Sequence, residues 1–219
     1  MAPILHLDQV WPLPLLAQQG PSSESDSEIW GTDCRFAADQ RHLTIAPAGS
    51  GKSTYLHTLY GLRHDSRGES ELSGENLRKQ DPESWSTWRQ QRLSIVFQDL
   101  RLFPLLTARE NLQLQMELSS ARSEAELQDL VQHLGMADFL DRPVQQLSLG
   151  QQHRSALVRA LIPPFDLLLL DEPFSHLDAE NIQKAHTAIE AARSREAASL
   201  LLISLGDDYG LPFDRRWRL

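Results

Sequence analysis

Two short stretches of this chain carry side chains whose types and spacing can do phosphate chemistry. The first, APAGSGKST (46–54), sets glycines beside a lysine and two hydroxyls. It nearly fits strand–GxxxxGK[ST]–helix, a loop whose backbone N–H groups and helix N-terminus cradle phosphate oxygens. In such a loop Lys52 reaches the terminal phosphates and the Ser53 hydroxyl binds Mg²⁺, while Gly49, Ser50, Gly51 and Thr54 complete the cradle. Ala46 stands where the pattern has its first glycine. If that position needs a positive φ, alanine there costs about 1 kcal/mol. The second stretch, FDLLLLDEP (165–173), ends four leucines in Asp171 and Glu172. Asp171 is placed to hold Mg²⁺ through its water shell, and Glu172 to polarise an attacking water as general base. Two acids at one phosphate site are tolerable because the metal offsets their charge. Together the two stretches point to binding and hydrolysis of a nucleoside triphosphate.

Both motifs need strand tips to hold them, and the flanking sequence supplies apolar strands and amphipathic helices in alternation. FAADQRHLTI leads into the glycine loop and a helix, RLSIVFQD (92–99) is a short apolar strand, and helices are expected over 149–161 and roughly 178–195. The strand LLLIS follows. ILHLDQVW (4–11) alternates as a strand and runs into a Pro/Ser/acidic stretch read as an exposed loop between edge strands, while SRGESELSGENL reads as a hairpin. Residues 100–146 change character to helical spacing with Ser and Thr at cap positions, as an inserted helical subdomain would. The expected fold is therefore α/β: a P-loop NTPase core with a mixed or parallel sheet, an antiparallel β edge and this helical insertion, within one domain over 1–219.

Bulk composition narrows the class. At 219 residues the chain can bury one sizeable core. No apolar run approaches the roughly 20 residues that span a bilayer. The absence of Lys or Arg before Arg35 leaves no basic start for a secretory signal, and the single cysteine, Cys34, suits a reducing cytosol. A net charge of −9 argues against nucleic acid as a partner.

A third stretch identifies the kind of NTPase. LSLGQQHRSALVRAL (147–161) resembles the signature motif of the ATP-binding cassette family, with Leu149 in place of a central glycine. The resemblance implies that Ser148, Gly150 and Gln151 present donors to the γ-phosphate of an ATP held by an opposite subunit, in a head-to-tail dimer. Gln98 in VFQD resembles that family's Q-loop glutamine, which contacts Mg²⁺ and water. FSHLD (174–178) resembles the D-loop, whose Asp178 would act across the dimer, and LFPLLTARENL resembles the segment that meets a membrane partner. Trp11 sits where the family places an adenine-stacking aromatic; Trp30 competes for that role, and packing alone accounts for either equally well. The resemblance covers roughly residues 4–219 and implies an ATPase subunit using ATP and Mg²⁺. Its partners would be a transmembrane permease and a second cassette, as homodimer or heterodimer, on the cytoplasmic face of the membrane.

Cargo cues point both ways. GLRHDSRGESELSGENL and WRQQRLSIVFQDLRLF resemble the lipoprotein-release and macrolide-export group, while DEPFSHLD resembles importer subunits. One station is missing. The family ends the strand at 200–204 in a histidine that contacts the γ-phosphate, but all eight histidines here lie at or before His186 and the position falls on Leu205 or Gly206. Losing one such donor costs about 10²–10³ in rate. The expectations are therefore slow hydrolysis or, alternatively, a cassette that binds ATP and serves as a regulatory or asymmetric half. Ser204, or a water held by Asp207, would be the local substitutes.

Overall fold

The computed structural model describes residues 3–19, 27–119 and 122–219. Its centre is a five-stranded sheet of β3 (Arg41–Ile45), β6 (Leu93–Val96), β7 (Leu167–Asp171), β8 (Ser199–Ser204) and β9 (Arg215–Arg218), ordered β6-β7-β8-β3-β9. Every neighbouring pair is parallel, and Leu43 registers with Leu202 while Leu169 registers with Leu201. The antiparallel strands form a sheet of their own, not an edge of this one. They are β1 (Pro3–Pro12), β2 (Asp33–Ala37), β4 (Ser66–Leu72) and β5 (Glu75–Asn76), ordered β2-β1-β4-β5, with β4 and β5 closing the expected hairpin.

The leucine run that looked uniformly apolar divides by the two-residue period of a strand. Leu168 and Leu170 face one core with α4 (Ala108–Leu118), α5 (Glu124–His133), α6 (Leu149–Leu161) and α7 (Ala179–Glu196). Leu167 and Leu169 face the other core, with the antiparallel sheet, α2 (Lys52–Leu59) and the tryptophans of α3 (Pro82–Gln91). Both faces are covered, which is why β7 and β8 are buried along their whole length. Reciprocal capping boxes start α4 (Thr107 with Glu110), α5 (Ser123 with Glu126) and α6 (Ser148 with Gln151).

Three elements depart from the sequence reading. Part of the expected N-terminal loop is a helix, α1 (Leu13–Gln19), where Pro14 is tolerated in the first turn and Leu15 is buried; residues 20–26 of that loop lie outside the described residues. The helix α3 went unread because its composition is polar. Asp81 accepts from the Ser84 amide at 2.7 Å, Pro82 opens the first turn, and Trp85 packs edge-to-face on Trp88 at 5.4 Å. β9 also went unread, since in RRWR only Trp217 turns inward.

Candidate active site

β3 delivers its C-terminal end into the glycine loop, and α2 starts at Lys52. The helix N-cap is Gly51, at φ 93°, and no side chain caps it, so the first-turn N–H groups are left for a ligand. A side chain at Gly51 is excluded twice, by that φ and by Leu15 Cδ1, 2.6 Å from where a Cβ would sit. Ala46 causes no strain: it has no positive φ, and its amide donates to the Ser204 carbonyl at 2.8 Å. The loop opens onto a cavity of about 480 Å³ lined by Gly49, Gly51, Lys52, Ser53, Thr54, Gln98, Glu172 and Leu205, among others. Ser50 stands behind it. Its carbonyl accepts from the indole N–H of Trp30 at 3.2 Å, and its hydroxyl is buried without a partner.

Asp171 closes β7, and Glu172 follows with φ 46°, a left-handed conformation that a non-glycine residue holds only under constraint. The Glu172 amide donates to Ile203 at 3.0 Å, and its carbonyl accepts from the Ser175 hydroxyl at 3.2 Å. That turn aims both acids at Lys52, whose ammonium bonds Glu172 and lies 3.3 Å from Asp171. Burial would lower the lysine pKa, but the hydrogen bond it donates to Glu172 and the charges of both acids outweigh it and hold it above the ordinary value. Burial raises Asp171, against the pull of Lys52. Burial and the Glu172 charge push the Tyr209 phenol up to about 12.

Ser53, Gln98 and Asp171, the three expected metal ligands, line one adjoining cavity of about 310 Å³. The donor set is a hydroxyl, an amide and one carboxylate, all oxygen donors. It suits Mg²⁺, which keeps several waters and takes substrate phosphate as ligand. Beyond Gln98 the chain bends through two consecutive left-handed residues, Leu100 and Arg101. The half-buried guanidinium of Arg159, near the C-terminal end of α6, donates to both of their carbonyls at 2.6 Å.

At the tip of β8 the side chains of Ser204 and Leu205 offer no donor to the cavity. Ser204 is fully buried, donates to the Asp207 carbonyl at 2.6 Å and accepts from the Gly206 amide at 3.1 Å, while Leu205, 57% exposed, lines the cavity with a hydrocarbon side chain. The Asp207 carboxylate is engaged by the Tyr209 amide at 2.7 Å.

The remaining expected residues gather elsewhere. Ser148, Gly150, Gln151 and Asp178 share a cavity of about 320 Å³ with Arg154 and His176, and among the described residues it has no lining residue in common with the phosphate cavity. Ser148 caps α6 and Asp178 caps α7, accepting from the Asn181 amide at 2.8 Å. A Cβ at Gly150 would lie 2.9 Å from the His176 carbonyl, so the 174–178 loop seats directly on the signature turn. Trp11 is half-buried against Gly31 and is not among the described residues lining the phosphate cavity. Trp30 is buried, with its ring edge-on to Tyr55 at 5.5 Å. The sequence reading missed Trp30 and Arg159 as supports of the site. Nothing local marks either one, because both act on backbone far away in the chain.

A family model described as ABC transporter matches residues 31–175. The chain belongs to the ABC transporter family. This cassette is 33% identical to the thiamine import ATP-binding protein ThiQ of Photobacterium profundum over 201 residues, 90% of this chain and 81% of that one. It is 35% identical to the ABC transporter ATP-binding protein YbbA of Escherichia coli K12 over 203 residues, covering 91% and 89%. Some relatives are longer: the cassette spans 42% of a xylose/arabinose import ATP-binding protein of Haloferax volcanii, at 32% identity over 166 residues, 74% of this chain. Its fold matches the dimeric ABC transporter cassette MJ0796, with TM-score 0.81, 23% identity and coverage of 98% and 94%. A post-hydrolysis state of MJ0796 bound to ADP and Pi matches with TM-score 0.74, 25% identity and coverage of 93% and 88%. The cassette is an ATP-binding subunit of an ABC transporter.

Proposed function

We propose that two copies of this cassette, or one copy and a related cassette, close head-to-tail over ATP and hydrolyse it to drive a separate membrane permease. The observation that carries this reading is Lys52, ion-paired to both acids beside an uncapped helix N-terminus. Without nucleotide, Lys52 neutralises the base. An arriving triphosphate is a stronger partner for the ammonium and draws it off, leaving Glu172 free to accept the proton of an attacking water. The α2 amides and Lys52 hold the phosphates, and Mg²⁺, held by Ser53, Asp171 and Gln98, supplies charge neutralisation when bound. Ser148, Gly150, Gln151 and Asp178 sit apart from their own phosphate loop, which suits a role completing the site of the opposite subunit. We assign adenine stacking to Trp11, which is half-buried, because Trp30 is buried against Tyr55 and has no open ring face to offer.

Among the described residues no helix is long and apolar enough to cross a membrane. As an ATP-binding subunit of this family, the cassette is placed on the cytoplasmic face, attached to a permease through Phe103 and Leu105, which are 56% and 76% exposed. Leu205 contributes no donor, so the cavity of one chain by itself would turn over slowly. A slow, ATP-binding regulatory half is the second reading, and the tip of β8 is the observation that favours it.

The test is the Glu172→Gln variant. Gel filtration should show an ATP-dependent dimer that does not hydrolyse, against a wild-type chain that does. A variant that stays monomeric in ATP, or that still hydrolyses, refutes the reading.

A further inference from the structure

We infer that His176 of each subunit donates a hydrogen bond to the γ-phosphate held by the other, as a catalytic residue supplied across the dimer. The inference rests on the head-to-tail reading above and names a group that it leaves unassigned. Phosphoryl transfer needs positioned donors at the γ-oxygens, where charge must be stabilised. Around its own phosphate cavity this chain offers the α2 amides, Lys52, Ser53, Thr54 and Gln98, but the strand tip beside them presents the hydrocarbon side chain of Leu205. His57 borders the metal-side cavity, yet its Nε2 is 3.3 Å from the Arg101 guanidinium and is taken.

An imidazole stands in the separate cavity at the signature turn. His176 is exposed and lines the cavity formed with Ser148 and Gly150, the residues read as facing the partner's γ-phosphate. Its placement is built. The His176 backbone lies so close over the signature turn that a Cβ at position 150 would sit 2.9 Å from its carbonyl and push the loop aside. The His176 ring meets His153 edge-on, with centroids 5.1 Å apart. His153 is 3% exposed and donates from Nδ1 to the Pro173 carbonyl at 3.0 Å, because a carbonyl can only accept. Burial keeps that ring neutral, so it serves as a fixed rest for the second imidazole.

In the step itself, the water oxygen bonds to the γ-phosphorus as the bond from that phosphorus to the β-bridging oxygen breaks. The electron pair leaves with ADP, and the water proton goes to Glu172. His176 transfers no proton; its ring N–H holds a non-bridging γ-oxygen throughout.

The test compares ATP hydrolysis by wild type, His176→Ala, His176→Asn and His176→Ala with Leu205→His. His176 is exposed, so thermal melts should show all four folded. His176→Ala should lower kcat by about 10²-fold with KM little changed, the pattern of a contact made in the transition state. His176→Asn should keep part of the rate, and Leu205→His should restore turnover to His176→Ala. A mixing experiment then fixes the geometry. Dimers of Glu172→Gln are inactive and dimers of His176→Ala nearly so, but a mixed dimer keeps one complete site only if the histidine comes from the opposite chain. Mixing should therefore raise turnover several-fold above either parent. Wild-type turnover in His176→Ala, a mixture no more active than its parents, or a wild-type dimer with no turnover each overturns the inference. The ATP dimer of Glu172→Gln is scored separately: its failure to form would remove the head-to-tail reading itself.

Discussion

Replacing Lys52 by methionine probes the charge arrangement at the centre of the site. The substitution keeps the length and apolar stem of the side chain and deletes its charge. Side-chain exposures of Lys52, Asp171 and Glu172 are 13%, 6% and 11%, so the two acids would be left facing each other with little water between them. Removing one partner of a buried ion pair costs about 3–5 kcal/mol, because the remaining charge is uncompensated. For a domain of this size that is a fall in Tm of about 6–20 °C. The pH dependence gives a sharper signature. The Asp171 pKa is raised above its ordinary 3.8 by burial and held down by Lys52. A carboxyl raised in the folded state contributes stability that is full below its unfolded value and is lost as pH rises through its folded value. Deleting Lys52 raises that folded value further. The variant should therefore be weakest relative to wild type near neutrality and recover toward pH 4. Urea unfolding of wild type, Lys52→Met and Lys52→Met with Glu172→Gln, followed across this range, is the assay. The double variant lacks one of the opposed charges and should regain much of the loss. A single variant within 1 kcal/mol of wild type at pH 7.5, or a gap that does not narrow on acidification, would refute the reasoning.

Other outcomes follow from individual contacts. Trp30→Phe removes the donor to the Ser50 carbonyl and should weaken ATP binding several-fold, about 1 kcal/mol, as measured by titration calorimetry. Gly150→Ala should hardly lower Tm, since alanine favours a helix by about 1 kcal/mol. The added Cβ, 2.9 Å from the His176 carbonyl, should nevertheless impair the ATP-dependent dimer seen by gel filtration. Asp214 is held down to about 2, chiefly by its hydrogen bonds with Arg41. Its stabilisation should be full above the ordinary 3.8 and disappear as pH falls through about 2, and Asp214→Asn should flatten that part of a urea–pH titration. The pair is partly exposed, which limits the effect to about 1 kcal/mol. Leu105→Asp should leave melting and ATP binding unchanged while losing the permease in co-purification.

Legibility in the sequence followed the range of the forces involved. The loop 46–54 and the pair Asp171 and Glu172 could be read because each motif is short and sits at the end of a strand with an obvious apolar period. β7, β8 and α6 could be read for the same reason. The helix α3 could not, since it is held by two tryptophans within a polar run, and their burial is set by partners distant in the chain. β9 shows a single inward residue in four. The Ala46 penalty anticipated from the motif does not arise, because the loop makes its left-handed turns at Gly49 and Gly51. The left-handed backbone of Glu172, the grip of Trp30 on Ser50 and the seat of His176 on Gly150 all depend on spacing between segments, which no local pattern encodes.

The helix α6 has a consequence for how such a machine keeps time. Its thirteen residues make a rod about 20 Å long. One end carries Ser148 and Gly150, on the face read as meeting the other subunit's ATP. Near the other end Arg159 grips the backbone two and three residues beyond Gln98, in the chain's own site. A rod held at both ends cannot tilt at one without tugging the other. In the proposed head-to-tail dimer, closure over one nucleotide would therefore be felt on the metal side of the second, with this single helix as the gear between them.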